Sequence, residues 1–410
     1  MNNHSLVFDK GMTANKVILI LGILFVSFNL RPAITAVGPV VSAIRADLHI
    51  TNGQAGFITT LPLLSFAVFS FIAPKLGYRF GSEAMIFAGM LALLAGILIR
   101  STGVLSALFI GTALVGVGIA LANVLLPSII KNRYPAKIGL MTGVYTASMS
   151  IFAALGSGFT ITLADGFQLG WQHSLMFWGI LALAALILWY PQIHQSSGNQ
   201  ADVKRKAQAV PGSNIWRSAI AWQVTLFMGF QSFLFYCMIA WLPEILSGAG
   251  LPLATAGWLV SIMQLAGIPM AFFIPVLAGR IENQKGLIWL IGALYMTGLC
   301  GLLTGGSVVL ITISVMLIGL GQGSSISLAL TLLGLRAANP KESAELSGMA
   351  QSLGYAFAAT GPVLIGFFLD MTGSPFVPLF IFVGIVVVMV IAGLGAGRNK
   401  TIFQVERGSL

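Results

Sequence analysis

Twelve apolar runs, each long enough to cross a lipid bilayer as a helix, constrain this sequence more than any other feature. A membrane helix needs about 20 apolar residues. Of the 410 residues, 57% are hydrophobic and 8% are charged, whereas soluble domains carry about 25% charged residues. We therefore predict an all-α membrane protein with twelve transmembrane helices. The approximate spans are 17–40, 54–73, 84–101, 105–130, 138–164, 171–190, 218–243, 254–277, 287–305, 308–334, 344–369 and 376–397.

The basic residues indicate how the helices are oriented. With both termini in the cytoplasm, 18 of the 21 lysines and arginines fall in cytoplasmic segments. Arg45 and Arg100 then fall on the outer side, and Arg31 falls within the membrane. Because positive charge collects in cytoplasmic loops, this pattern predicts a multi-pass protein of the plasma (inner) membrane with both termini inside. The net charge of +10 is thus a topology signal and does not indicate a nucleic-acid partner.

A polar stretch from Gln192 to Asn214 divides the helices into six plus six. We predict an N-terminal bundle of residues 1–191, a cytoplasmic linker of residues 192–215 and a C-terminal bundle of residues 216–410. The halves also resemble each other in sequence. Leu114-Val-Gly-Val-Gly118 is matched 203 residues later by Leu317-Ile-Gly-Leu-Gly321, and Arg133 is matched by Arg336. This ordered series suggests the parallel duplication found in secondary transporters, whose sites lie between the halves.

Catalytic chemistry finds no support in the sequence. The four histidines fall in tails, loops or helix ends, and no paired carboxylates, metal-spaced ligands or phosphate loop accompany them. The only two cysteines, Cys237 and Cys300, lie in apolar runs. We therefore expect no enzyme activity, no cofactor and no metal site.

Arg31 is the first candidate for a substrate contact, because it lies about fourteen residues inside the first apolar run. A guanidinium at this depth is too far from the interface to reach it easily, so it normally faces a polar cavity or a partner. The alternative is a structural bond to a helix carbonyl. Pro32 follows directly and removes a backbone donor, which predicts a bend beside the cavity.

Other polar side chains lie at membrane depth and could line the same cavity. Gln351 and Tyr355 are four residues apart and share one face of the eleventh helix. Each amide could instead bond to a neighbouring helix, as buried amides in membranes often do. The remaining candidates are Asn29, Asn123, Gln231, Tyr236, Gln264 and Gln322.

All eleven acidic residues fall at helix ends or in loops by this topology. A site for organic cations usually contains a carboxylate, and so does a proton relay. The absence of carboxylates from the middle of the membrane favours a small anionic or neutral polar ligand.

The loop after the second helix reads Pro74-Lys-Leu-Gly-Tyr-Arg-Phe-Gly-Ser-Glu83. With twelve helices and a parallel repeat, this loop resembles the signature loop of the major facilitator superfamily, which implies that family's fold. Lys75, Gly77, Arg79 and Gly81 fit the signature, and the resemblance implies that they help to hold the halves together on the cytoplasmic side. Tyr78 stands where the family has aspartate, so the usual charge latch is not expected.

A narrower resemblance is to the branch of cyanate and 2-nitroimidazole transport proteins. It is carried by Asn29-Leu-Arg-Pro32, Thr59-Thr-Leu-Pro62, Gly118-Ile-Ala-Leu-Ala-Asn-Val-Leu-Leu-Pro127 and Leu346-Ser-Gly-Met-Ala-Gln-Ser-Leu-Gly-Tyr355. The resemblance implies a transporter of a cyanate-like anion or a nitroaromatic heterocycle that works by alternating access. A monomer in the bilayer, with a small molecule as its partner, is expected.

Two other functions remain open. A proton-coupled multidrug exporter would require Glu244 or Asp370 to reach the cavity. A membrane receptor or sensor belongs to another class, and solute flux in proteoliposomes would distinguish it from a transporter.

Overall fold

A computed structural model describes residues 17–50, 52–196, 214–248 and 250–403. It contains twelve helices long and apolar enough to cross a membrane, which confirms the predicted number. The helices are α1 (Val17–Val41), α2 (Asn52–Phe80), α3 (Ser82–Arg100), α4 (Leu105–Arg133), α5 (Ile138–Ile161), α6 (Gly170–Ile193), α7 (Ala219–Gly248), α8 (Leu253–Ala278), α9 (Lys285–Thr304), α10 (Val308–Leu335), α11 (Pro340–Thr372) and α12 (Phe376–Ala396).

We call helices α1–α6 the first bundle and helices α7–α12 the second bundle, after the division predicted from the sequence. We call the membrane side at which α1 begins and α12 ends the basic side. Helical structure after α6 continues to Ser196, beyond the predicted start of the linker at residue 192, and a short 3-10 helix at Ile215–Arg217 precedes α7. Most of the predicted linker lies outside the described residues.

The duplicated arginines make corresponding contacts in the two bundles. In the first, Arg133 at the end of α4 pairs with Glu83, 3.3 Å away. In the second, Arg336 follows α10, where it donates to the side chain of Gln284 and, at 2.7 Å, to the carbonyl of Ala396. Burial lowers the pKa of Arg336 to about 10, so it remains charged at neutral pH. The two bundles are thus built on one plan.

Small residues bring helix backbones into direct contact. A side chain at Gly323 of α10 would collide with the carbonyl of Gly267 on α8, within the second bundle. A side chain at Gly139 of α5 would collide with the carbonyl of Pro275 on α8, across the two bundles. Close backbone approach through glycine is a usual way to pack membrane helices.

Candidate functional site

The first membrane helix is interrupted at the residue that the sequence singled out. Regular helix ends at Asn29, and Arg31 has φ −120° and ψ −45°. A short helix, Pro32–Thr35, follows, and the Arg31 carbonyl accepts hydrogen bonds from the amides of Ile34 and Thr35 at 2.9 and 3.0 Å. Proline cannot donate its backbone nitrogen and crowds the preceding turn. The bend predicted from Pro32 is therefore present.

The interruption places the Arg31 side chain between the two bundles. Its guanidinium carbon lies 4.7 Å from the centre of the Phe235 ring on α7. The phenol groups of Tyr145, Tyr236 and Tyr355 lie within electrostatic range of this guanidinium. In the described part of the chain Arg31 forms no ion pair with a carboxylate. A half-buried cation that rests on an aromatic face keeps its hydrogen-bond donors available for a ligand.

Further aromatic rings from both bundles pack against the tyrosines beside this cation. Tyr355 of α11 contacts Phe66 of α2 with ring centres 4.9 Å apart, and Tyr236 of α7 with ring centres 6.5 Å apart. Tyr236 also meets the edge of the neighbouring Phe235 ring at 5.1 Å. We call Arg31, Phe66, Tyr145, Phe235, Tyr236 and Tyr355 the aromatic site. Flat rings around one guanidinium suit a small planar ligand that carries a negative or strongly hydrogen-bond-accepting group.

Two of the predicted polar candidates, Tyr236 and Tyr355, belong to the aromatic site. Three other candidates form hydrogen bonds within the protein. Asn29 donates to the carbonyl of Leu181 on α6 at 3.0 Å, which ties α1 to α6. Gln231 donates to Ser232 at 2.7 Å and to the carbonyl of Met228. Gln351 donates to the carbonyl of Asn123 on α4 at 3.0 Å, which joins the two bundles.

The other three amides differ in their surroundings. The Asn123 side chain is buried, and Gln264 is half-buried on α8. Gln322 is buried on α10, and its side-chain nitrogen has no hydrogen-bond partner among the described residues. A buried amide donor without a partner is costly, so Gln322 is available to a ligand or to a water molecule.

Tyr145, Phe235 and Phe66 were not predicted, although they help to form the site. Aromatic residues in an apolar run look like ordinary core residues in the sequence, because nothing there shows which face of a helix they occupy. Arg100 was placed outside the membrane from the sequence. In the structure it is buried at the end of α3, where only 1% of it is exposed.

The bundles are packed together on the basic side of the aromatic site. Ser128 of α4 donates to the carbonyl of Pro340 at 2.8 Å, and Thr146 of α5 donates to the carbonyl of Ala271 at 2.6 Å. Ser352 of α11 donates to the carbonyl of Ala67 on α2. These contacts close the basic side of the molecule.

The signature-like loop lies at this closed side. Lys341, at the start of α11, places its ammonium group 5.4 Å from the centre of the Tyr78 ring. The residue that replaces the family's aspartate therefore contacts the opposite bundle through a cation–π interaction. Gly81 has φ +94°, a backbone conformation that side chains disfavour, and it lets the chain turn from α2 into α3. Gly77 packs against Leu125, while Lys75 and Arg79 lie near the rings of Phe71 and Phe80.

A cavity of about 570 Å³ opens between the bundles at the same side. Lys75, Tyr78, Trp216, Lys341 and Glu345 are among its lining residues, whereas Arg31 is not. It is therefore a crevice at the closed basic side and is separate from the aromatic site.

Comparisons with known proteins agree with this architecture. A family model described as Major Facilitator Superfamily matches residues 21–362. The proton:xylose symporter XylE, solved with 6-bromo-6-deoxy-D-glucose, has a similar fold with a TM-score of 0.76. The alignment covers 94% of this chain and 97% of that one at 15% identity, so it bears on the fold alone.

Relatives at higher identity are also transporters. An uncharacterized transporter of Bacillus subtilis, YycB, is 54% identical over 95% of this chain and 96% of its own length. The 2-nitroimidazole transporter of Escherichia coli is 41% identical over 95% and 97%. The cyanate transport protein CynX of Escherichia coli is 25% identical over 87% and 91%. This chain belongs to the major facilitator superfamily of membrane transporters.

Proposed function

We propose that this protein moves a small planar anion or a nitro-bearing heterocycle across the plasma membrane by alternating access. The observation that carries the proposal is Arg31, a cation without a carboxylate partner among the described residues, which lies over the Phe235 ring of the second bundle and near the Tyr145 phenol of the first. A nitro group and a carboxylate each present two oxygens in a plane, which matches the fork of a guanidinium. Two relatives are named for 2-nitroimidazole and for cyanate. The first compound carries such a nitro group, and the second is a small linear anion that a guanidinium can bind through its charge.

The charges near the site argue against an organic cation as substrate. Arg31 would repel a cation at short range in a medium of low dielectric constant. No described acid forms an ion pair with Arg31, and Glu83 pairs with Arg133 at the basic side instead. A multidrug exporter for lipophilic cations is therefore the weaker alternative.

In an alternating-access cycle, the contacts between the bundles on the basic side would act as a gate. By the positive-inside rule, the basic side is the cytoplasmic side. The contacts of Ser128, Thr146, Ser352 and Tyr78 then form the cytoplasmic gate, which is closed in this conformation. Transport would require these contacts to separate while the bundles close on the outer side of the aromatic site.

The orientation is tested by thiol labelling in whole cells. A cysteine introduced at Ser197, in the linker outside the described residues, should react with a membrane-impermeant reagent only after permeabilisation. A cysteine introduced at Arg45, which is exposed on the helical segment that extends α1 to the outer side, is the matched control and should react in intact cells. The reverse labelling pattern would invert the topology.

Flux measurement tests the function itself. Purified protein in proteoliposomes should transport 2-nitroimidazole or cyanate faster than empty vesicles, and each compound should compete with the other. A receptor or sensor would bind a ligand without flux. If neither compound binds or moves, this substrate class is excluded.

The same vesicles test coupling. Because no described carboxylate pairs with Arg31, we expect uniport, or coupling through the charge of the substrate alone, with no direct dependence on a proton gradient. At a clamped membrane potential, an imposed pH gradient should therefore leave the flux nearly unchanged. A gradient-driven flux that Glu244→Gln or Asp370→Asn abolishes would instead support a proton-coupled exporter.

A further inference from the structure

A second arginine is buried close to the interruption in α1. Arg100, the last residue of α3, donates from Nη1 to the carbonyl oxygen of Ala33 at 2.5 Å. Its Nε and Nη2 atoms are buried and have no hydrogen-bond partner among the described residues. It forms no ion pair in that part of the chain. One carbonyl of α1 is thus the hydrogen-bond partner of a fully buried guanidinium.

Stability does not account for this arrangement. A buried cation loses its hydration, and a single carbonyl satisfies only one of its five N–H donors. An apolar side chain of similar size is usually as stable or more stable at such a position. Departures of this kind from stable packing are expected mainly at functional sites.

The carbonyl that Arg100 binds belongs to the segment that directs Arg31. Ala33 lies in the short helix Pro32–Thr35, two residues after Arg31. On the other side of this segment, Thr35 donates to the carbonyl of Ala153 on α5 at 2.9 Å. The segment is therefore held from α3 by Arg100 and from α5 by Thr35. The Arg100 backbone itself packs tightly on α4, because a side chain at Gly111 would lie 2.5 Å from the Arg100 amide nitrogen.

We infer that Arg100 is a positioning residue for Arg31, which fixes the break in α1 at the angle that presents the Arg31 guanidinium to the ligand. Without it, the segment is held on one side only and Arg31 samples other directions. Affinity falls because the ligand must then select the productive orientation. This inference rests on the proposed function only for the transport measurement. The structural measurement does not depend on it.

The test compares Arg100→Met, Arg100→Lys and Ser101→Ala in proteoliposomes with 2-nitroimidazole. Ser101 is a matched control, because it is buried beside Arg100 and donates to Ile97 on its own helix at 2.8 Å. We expect Arg100→Met to raise KM at least about tenfold, with a maximal rate within about twofold of the unmodified protein and no loss of thermal stability. Arg100→Lys, which keeps the charge and one suitable donor, should give an intermediate KM, and Ser101→Ala should leave KM unchanged.

Hydrogen–deuterium exchange of the peptide that covers residues 30–36 gives a second readout that needs no ligand. Exchange should be faster in Arg100→Met than in the unmodified protein and unchanged in Ser101→Ala. If the unmodified protein does not transport the probe, the proposed function fails, while the exchange result still decides the positioning role. An unchanged exchange rate in Arg100→Met, or an equal effect in Ser101→Ala, would overturn the inference. Should Arg100→Met fail to fold, the same two measurements on Arg100→Lys decide it.

Discussion

Replacing Arg31 by lysine is expected to weaken binding of 2-nitroimidazole at least about tenfold, which corresponds to roughly 1.4 kcal/mol. The guanidinium presents a planar fork and stacks on the Phe235 ring. An ammonium group is a compact, strongly hydrated charge, and it can neither pair with two oxygens in one plane nor stack in the same way. The positive charge is retained, so the fold of α1 should be preserved. Equilibrium binding to purified protein measures the effect.

Arg45→Lys is the matched control for this substitution. Arg45 is exposed on the helical segment Val37–Leu48, which continues from the same membrane helix. The Arg45→Lys variant should bind 2-nitroimidazole with unchanged affinity. Equal affinities of the Arg31→Lys variant and the unmodified protein would remove Arg31 from the binding site, and the aromatic site would need another anchor.

The membrane helices could be predicted closely from the sequence, because lipid imposes a length and a composition on each of them. The predicted second and fourth spans, 54–73 and 105–130, were too short on the basic side, where α2 continues to Phe80 and α4 to Arg133. Hydropathy falls at Lys75 and Lys131, but the helices continue because basic residues in a last turn favour the negative end of the helix dipole.

Three of the six residues of the aromatic site, Arg31, Tyr236 and Tyr355, were among the candidates predicted from the sequence. Arg31 is conspicuous because a charge in an apolar run is rare. The amides of Asn29, Gln231 and Gln351 have the right depth, but depth does not show whether an amide meets a ligand or a helix carbonyl, and in the structure they bond to protein. Phe235 and Tyr145 become site residues only when two distant helices are packed together.

A bulky side chain at Gly139 is expected to have the largest effect on transport, because it would keep the two bundles apart at the basic side, where the proposed gate closes. The α5 backbone at Gly139 packs directly on the backbone of α8, where an added Cβ would lie 2.8 Å from Cα of Gly279 and would collide with the carbonyl of Pro275. Backbone atoms cannot rotate aside as a side chain can. Overpacking of this kind costs about 1–3 kcal/mol.

Every cycle of alternating access must pass through the conformation that Gly139→Leu disfavours. A cost of about 1.4 kcal/mol already lowers the population of a state tenfold, so we expect 2-nitroimidazole flux to fall at least about tenfold. Gly158→Leu on the same helix is the matched control, because a side chain at Gly158 meets nothing within 4 Å and should leave flux nearly unchanged. Equal flux in the two variants would show that closure at Gly139 is not required for transport. A loss of flux in Gly139→Leu alone, with folded protein retained, would support a gate formed by direct backbone contact between the bundles.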